Sequence, residues 1–132
     1  MTIGPIARTG RPGWLDISVG DVRPRGLGWR VRWLVRSGRA LTVDQAWHPH
    51  GRFRSSRLRR ATRVTARGSA AIEVPARTDV SAGETVENCF LILRVTSGRE
   101  RYRVLARFTL RVGRDGRPRP TVEAVDVHPA AR

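Results

Sequence analysis

The stretch W-R-V-R-W-L-V-R at residues 29–36 decides the fold class. Read with a period of two, it places Trp29, Val31, Trp33 and Val35 on one face and Arg30, Arg32, Leu34 and Arg36 on the other, as a half-buried β-strand does. A helix, with its period of about 3.6, would scatter both stripes around its axis. The alternation returns over residues 101–112, where Tyr102, Val104, Ala106, Phe108, Leu110 and Val112 interleave with Arg101, Arg103, Leu105, Arg107, Thr109 and Arg111.

Working outward, shorter apolar runs at residues 15–19, 41–47, 70–77, 90–96 and 120–127 bring the count to seven strands. Between them lie turn-forming residues: Arg23-Pro24-Arg25-Gly26, Ser37-Gly38, His48-Pro49-His50-Gly51, Ser81-Ala82-Gly83, Ser97-Gly98 and the Gly- and Pro-rich residues 113–120. No stretch has convincing helical spacing. The expected fold is therefore all-β, an immunoglobulin-like antiparallel sandwich of about seven strands. The Ser97-Gly98 turn is expected to join 90–96 and 99–112 as a hairpin. Residues 53–67 (FRSSRLRRATRVTAR) fit either period, and are read as an irregular edge segment or an extra strand. One domain over residues 14–128 is expected, with flexible ends at 1–13 and 129–132.

The run AAIEVPARTDVSAGETVENCFLILRV at residues 70–95, in which a Gly-Glu turn precedes a buried apolar strand, resembles the middle strands of bacterial immunoglobulin-like domains. The resemblance is architectural, lacks the paired cysteines of antibody-type domains, and implies a fold that hosts many functions.

Charge is the strongest compositional signal. Twenty-six basic residues against 11 acidic ones give a formal net charge of +15. All the basic side chains are arginine, a usage expected of a GC-rich bacterial genome. Codon bias explains the absence of lysine but not the excess of cations, which points to a polyanion or an acidic surface as partner. No apolar run approaches the roughly 20 residues of a membrane-spanning helix, and the first residues lack the apolar centre of a signal peptide, so the expected compartment is the cytoplasm. The single cysteine, Cys89, is read as a buried and inert thiol.

Motifs of catalysis are few. There is no glycine-rich phosphate loop, no nucleophile elbow and no paired C-x-x-C. His48 and His50 form an H-x-H pair, weak candidates for a metal if Asp44 or a distant residue such as His128 supplied a further ligand; an exposed loop is the preferred reading. Cys89 with a histidine is formally a nucleophile pair. Glu84 and Glu87 are better read as solvated partners of arginines than as a catalytic carboxylate pair. Trp29 and Trp33 are assigned to the core, and Trp47 is the best candidate for an exposed aromatic. No cofactor is expected.

The outward rows of arginine pose the physical problem. If Arg30, Arg32 and Arg36 shared a sheet with Arg101, Arg103, Arg107 and Arg111, one face would carry seven guanidinium groups, and like charges opposed across a sheet disfavour the pairing. A second cluster at residues 52–67, with Arg57, Arg59 and Arg60 at its centre, extends the candidate anion-binding set. The leading reading is a non-catalytic binding module that docks nucleic acid or an acidic protein surface. A structural subunit of a homo- or hetero-assembly is the second, and a His-based metal-binding sandwich the third.

Overall fold

A computed structural model describes residues 13–130 of the chain. Among these residues it contains ten strands and no helix: β1 (Leu15–Arg25), β2 (Gly28–Ser37), β3 (Leu41–Trp47), β4 (Pro49–His50), β5 (Phe53–Arg54), β6 (Thr62–Val64), β7 (Gly68–Thr78), β8 (Thr85–Ser97), β9 (Glu100–Val112) and β10 (Pro118–Pro129). They form two five-stranded sheets, ordered β1-β2-β7-β5-β4 and β10-β9-β8-β3-β6, with every pairing antiparallel. The fold is a β-sandwich. Among the described residues no helix is long and apolar enough to cross a membrane.

Tight hairpins set the register within each sheet. Gly26-Leu27 joins β1 to β2 and Gly98-Arg99 joins β8 to β9, with Gly26 at φ 56° and Gly98 at φ 61°. A two-residue hairpin loop that opens with a positive φ matches the natural twist of its strands, and glycine adopts that conformation without a Cβ penalty. The expected hairpin is present, but its loop is Gly98-Arg99 rather than Ser97-Gly98, so Ser97 pairs with Glu100. β1 runs six residues beyond the expected 15–19, because a bulge between Val19 and Asp21 interrupts the alternation that marks a strand in sequence. The ambiguous residues 53–67 supply two short strands, β6 at the edge of the second sheet and β5 between β7 and β4 in the first, with Leu58 bridged to Ala46.

The inward stripes of both deciding strands are buried as read except at one end of each, where Trp29 and Tyr102 are half-buried against the core. Val31, Trp33 and Val35 pack in one core with Val104, Ala106, Phe108 and Leu110. At its centre is an aromatic cluster. Trp33 and Phe108 have ring centroids 5.2 Å apart, and Phe53 lies 5.8 Å from Phe108 and 4.9 Å from His48. Tilted and edge-to-face contacts of this kind add to the stabilisation from buried area. Cys89 is fully buried, and its desolvation pushes the thiol up to about 11, so it stays protonated and inert near neutrality.

The end segments need a correction. Pro129 closes β10, and the Ala130 N–H donates to the Arg101 carbonyl at 2.8 Å, so these two positions belong to the sheet rather than to a loose tail. The rest of the two end segments, apart from Gly13, lies outside the described residues.

Candidate functional site

The two sheets divide the expected arginine face. Arg30, Arg32 and Arg36 lie on β2, in the first sheet; Arg101, Arg103, Arg107 and Arg111 lie on β9, in the second. Each row points away from the core, so the two rows occupy opposite sides of the sandwich and cannot act on one ligand as a single surface. A face of seven is excluded by strand order, which alternation along each strand does not reveal.

On the first sheet the arginines meet carboxylates. Asp16 sits directly across from Arg36, Asp21 across from Arg32, and Glu73 across from Arg32 on the other side. Glu73 also lies 3.6 Å from Arg30, and Asp21 accepts from Arg23 Nε at 3.0 Å. Around β1 and β2 this surface is largely balanced by its own acids, whereas at its far side Arg54 of β5 stands opposite Arg77 of β7.

On the second sheet cation faces cation. The hairpin register sets Arg94 of β8 opposite Arg103, which in turn opposes His128 of β10. Arg107 is opposite Phe90, Leu105 is opposite Ile92, and Arg111 has Thr85 on one side and Arg119 on the other. Among the described residues, Arg94, Arg101, Arg103, Arg107 and Arg111 have no ion pair. Two carboxylates on this side are engaged: Asp44 accepts from Thr96 Oγ1 at 2.7 Å, and Asp126 has a partner of its own. Directly opposed like charges cost a sheet roughly 0.2–1 kcal/mol per pair. The first sheet also opposes arginines, but Arg23 and Arg30 are each paired with a carboxylate, which leaves Arg54 opposite Arg77 as its uncompensated pair among the described residues.

The second basic cluster also divides. Arg57 crosses to the β8–β9 side, its guanidinium 4.1 Å from the centroid of Trp47 and its Nη1 3.4 Å from Gln45 Oε1. Trp47 is thus a half-buried platform under an arginine, not a bare aromatic. Arg59 and Arg60 are exposed on the connector between β5 and β6, with no ion pair among the described residues. Arg52, by contrast, is structural. It donates to Glu84 from both terminal nitrogens, at 2.7 and 3.0 Å, and from Nε to Asp79 at 3.0 Å. These bonds raise the Arg52 pKa further. Bonding to Arg52 and to the Ser81 N–H holds the Glu84 carboxyl down at about 2. Glu84 is therefore an arginine partner, as read from the sequence.

His48 is the clearest departure from the sequence reading. It is completely buried, not displayed in a loop. Trp33 Nε1–H donates to His48 Nε2 at 3.0 Å, which leaves the proton on Nδ1, facing the Pro75 carbonyl at 3.3 Å. Both ring nitrogens are committed, so His48 is not a metal ligand. Burial pulls its pKa from 6.5 to about 4, against a smaller opposing effect of the Pro75 carbonyl. His50 is on β4, its Nδ1 accepting from the Arg52 backbone N–H at 3.0 Å. Among the described residues no group of three His, Cys, Asp or Glu side chains is placed to hold a metal.

Sequence reasoning missed Arg94. The loop at Gly98-Arg99 puts Arg94 opposite Arg103, whereas a loop at Ser97-Gly98 would have put it opposite Arg101. Comparison of the chain with family models, curated proteins and solved structures finds no match.

Proposed function

We propose that this chain is a non-catalytic binding module that docks a nucleic-acid backbone on the outer face of the β8–β9 sheet. The observation that carries this reading is the row Arg94–Arg103–His128, flanked by Arg101, Arg107 and Arg111 with no anionic partner among the described residues. Same-face residues along β9 repeat at about 6.7 Å, so the strand presents guanidinium groups as a linear array. Arginine forms paired hydrogen bonds to phosphate oxygens, and a phosphate lying over Arg94 and Arg103 would turn their mutual repulsion into shared attraction. Thr109 adds a hydroxyl group to the same face. Phosphate contacts of this kind give affinity without sequence choice.

The immunoglobulin-like assignment belongs to the same proposal. Lettering β1, β2, β3, β5, β7, β8 and β9 as A to G gives A-B-E-D in one sheet and G-F-C in the other, with β10 added beyond G. That order supports an immunoglobulin-type sandwich. The test of function is titration of a labelled duplex oligonucleotide at several salt concentrations. Engagement of five arginines predicts a slope of log K against log salt of about −4.5. A slope near zero, or no binding at low salt, would overturn the reading.

A further inference from the structure

A second surface lies elsewhere, where the edge of one sheet meets the edge of the other. A cleft of about 1320 Å³ runs beside β7 from Ala71 to Arg77, bounded by the tip of the β1–β2 hairpin and by the β5–β6 connector. Six arginines line it: Arg25, Arg32, Arg54, Arg60, Arg63 and Arg77. One carboxylate, Glu73, stands among them, and it is drawn toward Arg30 at 3.6 Å. Between the arginines lie apolar side chains, Leu58, Pro75 and Leu27, the last 94% exposed at the hairpin tip.

The backbone of β7 makes the cleft more than a charged hollow. β7 pairs with β2 all the way from Gly68 to Ala76, but on its other flank β5 pairs only with Arg77 and Thr78. The Pro75 carbonyl is taken by His48. Residues 70–74 therefore form an open strand edge among the described residues. Such an edge offers both N–H donors and C=O acceptors. A phosphodiester has no donors for those carbonyls, whereas an extended peptide matches both rows and sends alternate side chains to opposite sides.

We infer that this cleft binds an extended acidic peptide, which adds as a strand to the free edge of β7, its carboxylates meeting the arginines and its alternate apolar residues lying against Leu27, Leu58 and Pro75. This site does not depend on the nucleic-acid reading of the β8–β9 face, and either can fail while the other stands.

The experiment titrates the full chain with a fluorescent twelve-residue peptide of alternating glutamate and valine, at low salt. Saturable binding is expected, weakened roughly tenfold or more by Arg54→Glu with Arg77→Glu and about twofold or less by Arg94→Glu with Arg103→Glu. Leu27→Ser, at an exposed position where unfolding is not a concern, should cost about threefold. Hydrogen exchange of the amides at residues 70–74 should slow when the peptide binds. Absence of binding, greater sensitivity to the Arg94 and Arg103 pair, or equal binding of an all-glutamate peptide without slowed exchange would each overturn the inference.

Discussion

The two outer faces of this sandwich carry similar numbers of arginines and differ in what stands beside them. On the β1–β2–β7 side, Arg36 looks across at Asp16, Arg32 lies between Asp21 and Glu73, and Arg23 and Arg30, though opposed to each other, are paired with those same two carboxylates. On the β8–β9 side, Arg94 looks across at Arg103 and Arg103 at His128. Net charge is blind to this difference. A surface becomes an anion site when register sets cations together without acids, and register is a property of turns and strand order.

The largest expected effect comes from reversing charge on each face in turn. Arg94→Glu with Arg103→Glu should weaken duplex binding at low salt by about 4 kcal/mol, roughly a thousandfold, given two lost charge-assisted contacts and the new repulsion. Arg30→Glu with Arg36→Glu should cost about threefold or less, through the general field alone. Fluorescence anisotropy with the two double variants reads the comparison directly, and equal losses would break it.

A perturbation of the shared interior should leave the two faces indistinguishable. In the unfolded chain His48 titrates near 6.5, and in the fold near 4, where protonation would set a second N–H against that of Trp33. A base whose folded pKa is depressed contributes stability that is complete above the unfolded value and is lost as pH falls toward the folded one. Acidification from pH 6.5 to 4 should therefore remove about 3 kcal/mol. Chemical denaturation across that window checks it, and His48→Phe should flatten the dependence while costing about 1–3 kcal/mol near neutrality for the unpaired Trp33 N–H.

The smallest effect is the most discriminating. Arg103→Thr relieves the opposition to Arg94 and should raise stability by roughly 0.5 kcal/mol, while Arg32→Thr removes a partner from Asp21 and Glu73 and should lower it by a few tenths. Opposite signs in thermal or urea unfolding would show that the Arg94–Arg103 opposition carries a stability cost that the acid-flanked Arg32 does not.

The long strands were legible because alternation survives wherever a sheet has one buried face. Residues 29–36 and 101–112 fold as their stripes require. The alternation is lost where a bulge intervenes, which is why β1 reads as half its length. His48 misleads because H-P-H-G has the composition of a turn. The overlooked cue lay in Trp33, an inward-facing indole whose N–H needs an acceptor in the core. Part of the candidate site was legible too, as Arg101, Arg103, Arg107 and Arg111 share a face. Its separation from Arg30, Arg32 and Arg36 was not, because strand order depends on which sheet each crossover enters.

The central claim is spatial, so backbone amide chemical-shift mapping of the protein titrated with a short duplex oligonucleotide tests it most directly. The account predicts the largest changes at residues 92–96 and 101–107, with residues 30–36 nearly still. Changes centred on residues 30–36, or spread evenly over both sheets, would contradict it.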